Sequence, residues 1–363
     1  MTTEEDIKNT EDEIRKTPYN KATSHHIGRL KAKLARLKDE LQHRASTKSA
    51  GKGYGIKKSG HATIVLVGFP SVGKSTLLNY LTGTNAEVAA YDFTTLGVIP
   101  GTLFHKGAQM QFLDVPGLIR GAAYGRGHGK EVISVMRNAD LILFIVDVFQ
   151  PQQFDILSKE LYDASIRVNT RAPEIVIHKA SRGGITVSST VELELDEKTI
   201  RAVLSEYKIH NADVLIREPI TLDELIDVVL GNRKYVRAIT VINRIDLADS
   251  ETLLACKTRL PDAIPISAAA GTNIRALKDR IYDELGFIRI YMKPQGALPD
   301  MDHPLVIKRY STVADVCSTI HRDFVSKFRY ARIWGKSVKY GGQRVGLLHG
   351  LVDEDIVSIV VRK

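Results

Sequence analysis

The chain has 363 residues, more than one hydrophobic core usually encloses, so two or three domains are expected. Lys and Arg outnumber Asp and Glu by 51 to 42, and the two cysteines, Cys256 and Cys317, are too few for a disulfide framework or a cysteine metal site, which points to a reducing compartment. The polar start Met1-Thr-Thr-Glu-Glu-Asp6 is unlike a secretory signal, and the longest apolar run, Leu141 to Val146, is too short to cross a bilayer, so a cytoplasmic protein with no membrane partner is expected.

Residues 1–45 read as a basic helical hairpin broken near Thr17-Pro18, with Thr23 or Ser24 available to cap the second helix. Ile27, Leu30, Leu34, Leu37 and Leu41 recur at helical spacing, while Arg29, Lys31, Lys33, Arg36 and Lys38 fill the other face. Two heptads are short for a coiled coil, so packing within the chain is expected over packing on another protein. Residues 46–60, rich in Ser, Gly and Lys, read as a flexible linker.

The apolar run Ile64-Val-Leu-Val67 ends in Gly68-Phe69-Pro70-Ser71-Val72-Gly73-Lys74-Ser75, and the segment from Thr76 to Leu81 favours helix. A glycine-bounded loop between strand and helix is the setting of a phosphate-binding loop. Glycines at both ends let the chain wrap, so that backbone N–H groups between Gly68 and Thr76 point at α- and β-phosphate oxygens while the helix N-terminus adds positive potential. Lys74 can then reach the β- and γ-phosphates, and Ser75 offers a hydroxyl to a bridging magnesium ion. Downstream, Thr94-Thr95 is either a β-prone pair entering a strand or part of a switch. Met110-Gln-Phe112 is a strand leading to Leu113-Asp114-Val115-Pro116-Gly117, where Asp114 can hold magnesium through water and Gly117 can offer an unhindered N–H to a γ-phosphate.

Residues 165–235 read as a small α+β insert without a catalytic constellation. In it, residues 173–179 and 184–189 alternate like the strands of a hairpin around Ser181-Arg-Gly-Gly184, residues 196–207 look helical, and Thr221-Leu-Asp-Glu224 is a capping box opening a helix to Leu230. Arg237 to Asn243 is a β-branched run that should be a buried parallel strand, and Asp246 follows at its carboxyl end, where open α/β sheets bind ligands. A carboxylate there accepts hydrogen bonds from guanine N1–H and the 2-amino group, a donor pair adenine lacks, so Asn243-Arg244-Ile245-Asp246 selects GTP over ATP. Ser267-Ala268, after the short strand 263–266, is positioned to donate backbone N–H to guanine O6.

After Gly286, residues 304–309, 332–335 and 355–361 read as short strands and residues 313–324 as a single helix capped by Thr312, an order that suggests a β-grasp domain. Lys327, Arg329, Arg332, Lys336, Lys339 and Arg344 interleave with Phe328, Tyr330, Trp334 and Tyr340. Either this segment grips phosphates and stacks on unpaired bases, or its aromatics fill a small core and only the charges face water. Charge is uneven along the chain: residues 1–60 carry 14 Lys and Arg against 8 Asp and Glu, residues 61–285 carry 24 against 27, and residues 286–363 carry 13 against 7. Basic ends on a slightly acidic middle point to a polyanionic partner.

The phosphate loop, residues 91–96, residues 113–117, Asn243 to Asp246 and Ser267-Ala268, in this order, resemble the Obg-type translation-factor GTPases and most closely their developmentally regulated GTP-binding protein (DRG) subfamily. The run from Asp114 to Glu131, with five glycines from Gly117 to Gly129, is the most telling stretch. Residues 348–357 resemble the end of a TGS domain. The resemblance implies an α/β fold: a P-loop GTPase domain over residues 61–286 with the 165–235 insert, the N-terminal helical hairpin, and a TGS-like β-grasp domain over residues 287–363. It implies a Mg2+-dependent GTPase that converts GTP to GDP and phosphate, with Lys74, Thr95, Asp114 and Gly117 as its catalytic set and Ser75, Thr95 and Asp114 as magnesium ligands. The ribosome or RNA is the implied partner, with a regulatory protein as a further one; if the interleaved segment is the one that grips RNA, Lys327, Arg329, Lys336, Lys339 and Arg344 are the expected contacts.

Two positions depart from common GTPase patterns. Arg244 stands where the guanine motif usually has lysine, and an arginine stem can also lie along the base. Leu118 stands where small signalling GTPases carry the glutamine that orients water, which implies slow intrinsic turnover with help from a backbone group of the glycine-rich second switch, the ribosome, a partner protein or K+. Leu118 also keeps open an alternative, a ribosome- or RNA-binding scaffold that holds GTP with incidental hydrolysis.

Overall fold

Alternating apolar runs and glycine-rich turns lay out the chain in a computed structural model that describes residues 3–18, 20, 23–47, 60–83, 99–115 and 129–362. Helices α1 (Thr3–Lys16) and α2 (Ser24–Thr47) come first, then β1 (Ala62–Val67), α3 (Lys74–Thr82), β2 (Ile99–His105) and β3 (Ala108–Asp114). Next come α4 (Gly129–Arg137), β4 (Leu141–Asp147), α5 (Gln153–Asp163), β5 (Ile166–Val168), β6 (Ile175–Lys179), β7 (Ile185–Ser189), α6 (Glu197–Glu206), β8 (Ala212–Ile216) and α7 (Leu222–Leu230). Strand β9 (Lys234–Asn243), α8 (Ser250–Arg259), β10 (Ile264–Pro265) and α9 (Ile274–Glu284) follow. The last elements are β11 (Phe287–Met292), β12 (Leu305–Lys308), α10 (Val313–Ile320), α11 (Arg322–Ser326), β13 (Phe328–Trp334), β14 (Gln343–Val345) and β15 (Asp355–Val361).

These elements form two compact units, residues 1–54, 118–137 and 156–236, and residues 55–117, 138–155 and 237–363. In the second, the sheet order is β10-β9-β4-β1-β3-β2, with β2 antiparallel to β3 and all other neighbours parallel. Every residue of β1 and β4 is buried, which is why both read as unbroken apolar runs. Parallel strands of an open sheet end on one side, and there Val67, Asp114, Asp147 and Asn243 stand next to the loops that follow them. A second sheet in this unit has the order β12-β11-β15-β13-β14, and Ile288, Ile290, Ala331, Ile333 and Val357 pack with Val313, Val316 and Cys317 of α10 as its core. Strand β11, not anticipated from sequence, pairs parallel with β15. The expected single helix is two, because His321 takes an extended φ of −165° and separates α10 from α11. Thr312 does form the capping box of α10 with Asp315.

In the first unit, α2 packs on α1, α6 and α7, and Ile27, Leu30 and Leu37 are buried. The backbone of Thr23 starts α2 by accepting from Ile27 N, while its hydroxyl turns back to donate to Pro18 O at 2.6 Å. Strands β6 and β7 do not pair as the expected hairpin. β8 lies between them, antiparallel to β6 and parallel to β7, so the chain leaves β7 through α6 and returns beside it, a crossover that local turn residues do not reveal. The capping box of Thr221 and Glu224 opens α7 as expected, and Gly231 closes it in the left-handed conformation.

Candidate nucleotide site

The loop between β1 and α3 is shaped by two close approaches. A Cβ on Gly68 would lie 2.6 Å from Ile145 O, and one on Gly73 would lie 2.4 Å from Asn243 Nδ2, so neither position admits a side chain without a shift. Gly73 sits at φ 94° and Ser71 at φ 63°, turning the chain so that α3 begins at Lys74. Lys74 Nζ donates to Gly68 O at 3.1 Å and Phe69 O at 3.0 Å, spanning the loop. Burial pushes its ammonium below the usual lysine value, and Asp114 partly opposes that shift, so an anion in the loop would find a cation short of compensation. Ser75 Oγ donates to Asp114 Oδ2 at 2.6 Å, and Asp114 is buried at the end of β3. A hydroxyl and a carboxylate that converge beside a cationic loop are the hard oxygen donors that suit Mg2+.

The base side is built at the end of β9. Asn243, 2% exposed, donates from Nδ2 to Val72 O at 2.8 Å and accepts at Oδ1 from Ala268 N at 2.9 Å, tying the phosphate loop to the loop after β10. Asp246 lies in a 3-10 turn, Ile245–Leu247, where its carboxylate is exposed and has no hydrogen-bond partner among the described residues. A cleft of about 450 Å³ runs from Lys74, Ser75 and Thr76 to Asn243, Asp246 and Ala269. Its volume and chemistry suit a nucleotide: cation and N–H donors at one end, an exposed carboxylate at the other.

One assignment changes in detail. Ser267 N donates to Thr272 O and Ala268 N to Asn243 Oδ1, so neither amide is free for guanine O6. Ala269, the exposed residue after them, also lines the cleft and engages no partner among the described residues. Thr94, Thr95, Pro116, Gly117 and Leu118 lie outside the described residues. The two basic ends of the chain also differ. Lys31, Arg36 and Lys38 of α2 pair with Asp223, Glu206 and Glu11, so much of that basic face is neutralised within the chain. Lys327, Arg329, Lys336, Lys339 and Arg344 are exposed and form no ion pair among the described residues. Of the aromatics, Phe328 packs on the core, whereas Arg344 lies 4.7 Å, Arg329 5.9 Å and Arg332 6.0 Å from the Tyr330 ring centre.

Comparison with known proteins matches residues 63–179 to a family described as a 50S ribosome-binding GTPase, residues 182–287 to the C-terminal region of that domain, and residues 288–361 to the TGS domain. An uncharacterized GTP-binding protein of Methanocaldococcus jannaschii is 55% identical over all of this chain and 94% of its own. The developmentally-regulated GTP-binding protein 1 homolog of Dictyostelium discoideum is 46% identical over 98% of each chain. The chain belongs to the developmentally regulated GTP-binding protein family. Ribosome-interacting GTPase 1 of Saccharomyces cerevisiae is a further relative, 47% identical over 99% of each chain.

This DRG-family chain is thus a GTP-binding protein of the P-loop GTPase class with a C-terminal TGS domain, and GTPases of that class generally use Mg2+. Sequence reasoning missed Asp147, which ends β4 and holds Arg244 Nη1 at 2.7 Å. Its only signal was an acid closing a wholly apolar strand, the same position that Asp114 takes on β3.

Proposed function

We propose that this protein binds GTP and hydrolyses it to GDP and phosphate, acting as a nucleotide-controlled switch on the ribosome or RNA. The observation that carries the reading is the single cleft lined by Lys74, Ser75, Asn243 and Asp246, with Asp114 hydrogen-bonded to Ser75. Asp246 accepts from guanine N1–H and the 2-amino group, while the N–H groups of residues 68–76 and Lys74 hold the phosphates and offset charge that builds on the bridging and terminal oxygens as water attacks in line. Ser75, Thr95 and Asp114 would hold a magnesium ion, which would offset negative charge on the phosphates. Gly117 would offer its N–H to the γ-phosphate, and hydrolysis would move the loop of residues 113–117. The domain limits are those of residues 61–286 for the GTPase part, with 165–235 inserted, and 287–363 for the TGS part.

The chain has Leu118 where a water-orienting glutamine would stand, so intrinsic turnover is slow and an activator supplies the missing electrostatic help. Potassium is one candidate. If potassium supplies that help, hydrolysis in KCl exceeds that in NaCl by about 100-fold, the order supplied by one charge-stabilising group, and equal rates would rule the cation out.

The ribosome or RNA role draws support from the name of the yeast relative and from the outer face of β13 and β14. Arg332 and Arg344 stand directly opposite each other in register, an arrangement that is unfavourable unless an anion joins it. Together with Tyr330 they suit phosphates and unpaired bases of single-stranded RNA. The double substitution Arg332→Ala and Arg344→Ala is expected to weaken binding to single-stranded RNA and to reduce the log-log salt slope by about 1.4, since each phosphate contact contributes about 0.7. An unchanged slope would remove this face from the account. GTP turnover with and without ribosomes tests the function as a whole.

A further inference from the structure

The turn that carries Asn243 grips the phosphate loop twice. Asn243 holds Val72 O, and the next residue, Arg244, reaches the preceding carbonyl, Ser71 O, with Nη2. Arg244 is at φ 68° and Ser71 at φ 63°, both in the left-handed region that non-glycine residues avoid unless their surroundings fix them there. What fixes Arg244 is Asp147. Its Oδ2 accepts from Arg244 Nη1 at 2.7 Å, and its Oδ1 accepts from Phe149 N at 3.0 Å, so the carboxylate is itself held by the turn after β4. Asp147 is 6% exposed and lies beside Asn243 in the β4–β9 register, yet it does not line the cleft.

We propose that Asp147 is a positioning residue that acts through Arg244 to keep the phosphate loop in its nucleotide-binding shape, coupling the base turn to phosphate affinity. The Arg244 guanidinium donates from separate nitrogens in two fixed directions, from Nη1 to Asp147 and from Nη2 to Ser71 O. The inference rests on the nucleotide reading of the cleft, and its test separates the two.

In full-length protein, release of a fluorescent GDP analogue is followed by stopped flow, and guanosine is measured as a competitor. Asp147→Asn keeps the shape of the side chain but removes its charge, and Arg244→Lys removes the fork. Each is expected to release GDP about tenfold faster, the loss of roughly one charge-assisted hydrogen bond. The double variant is expected to be no faster than either single one, because both remove the same link. Guanosine, which has no phosphate, is expected to compete with Asp147→Asn as it does with wild type. Release by Asp147→Asn within twofold of wild type, effects that multiply in the double variant, or equal losses for guanosine and GDP would each overturn the proposal. Should Asp147→Asn fail to fold, Arg244→Lys alone carries the test by the same GDP criterion, since Arg244 is partly exposed. Wild-type protein that binds no guanine nucleotide would sink the cleft reading and this inference together. GDP binding that is lost with Lys74→Ala but indifferent to Asp147→Asn would sink this inference alone.

Discussion

Asp246→Asn is expected to lower affinity for GTP by about 100-fold or more while raising affinity for xanthosine triphosphate. Two charge-assisted hydrogen bonds to guanine contribute on the order of 3 kcal/mol or more together. An amide offers one acceptor and one donor, so it leaves one guanine N–H facing another donor; xanthine, with a carbonyl in place of the 2-amino group, presents the complementary pair. The substitution carries no folding cost, because Asp246 is exposed and holds no other group among the described residues. Binding isotherms with both nucleotides check the swap, and an unchanged preference for GTP would remove Asp246 from the base site.

The largest loss of stability is expected at Asp227, far from any chemistry. This residue of α7 is 5% exposed and accepts from Arg167 Nε at 2.6 Å, Arg167 Nη2 at 2.8 Å and Arg233 Nε at 2.6 Å. Arg167 also donates to Tyr162 O at 2.8 Å and lies 3.6 Å from the centre of the Tyr162 ring. Asp227→Ala leaves two guanidiniums buried without their counter-ion, which costs about 3–5 kcal/mol. Chemical denaturation reads this directly. A cost under about 1 kcal/mol would mean that water or the neighbouring acids take over, as they do for exposed pairs. The buried triad is not itself proof of net stability, because an apolar replacement of all three groups can be equally stable.

The parts of the site that were legible in sequence are those whose meaning is local. Gly68 to Ser75 reads as a phosphate loop because glycine, lysine and serine at fixed spacing follow a buried strand, and the close approaches at Gly68 and Gly73 give the physical reason for that spacing. The end of β9 is equally plain, since Ala238, Ile239, Val241 and Ile242 are buried and a strand buried on both faces reads as an apolar run, although Arg237 at the start of the expected strand is exposed. Contacts between segments far apart in the chain were not legible. Asp147 and Arg244 are 97 residues apart, and Arg167 and Asp227 are 60 apart, with no local pattern linking either pair. The β6-β8-β7 order failed for the same reason: Ser181-Arg-Gly-Gly184 is a good turn, but which strand lies beside β6 depends on the return of the chain through α6. Strand β11 was within reach, because Phe287, Ile288 and Ile290 form a short apolar run directly after Gly286.

GTP turnover by the purified protein, with and without ribosomes in potassium buffer and with Lys74→Ala as control, tests the central claim most directly. Slow release of phosphate that ribosomes accelerate, and that Lys74→Ala lowers by about 100-fold or more in line with loss of a main phosphate-binding charge, is the predicted result. Tight GTP binding with no turnover under either condition would contradict the account and favour a scaffold that holds nucleotide without using it.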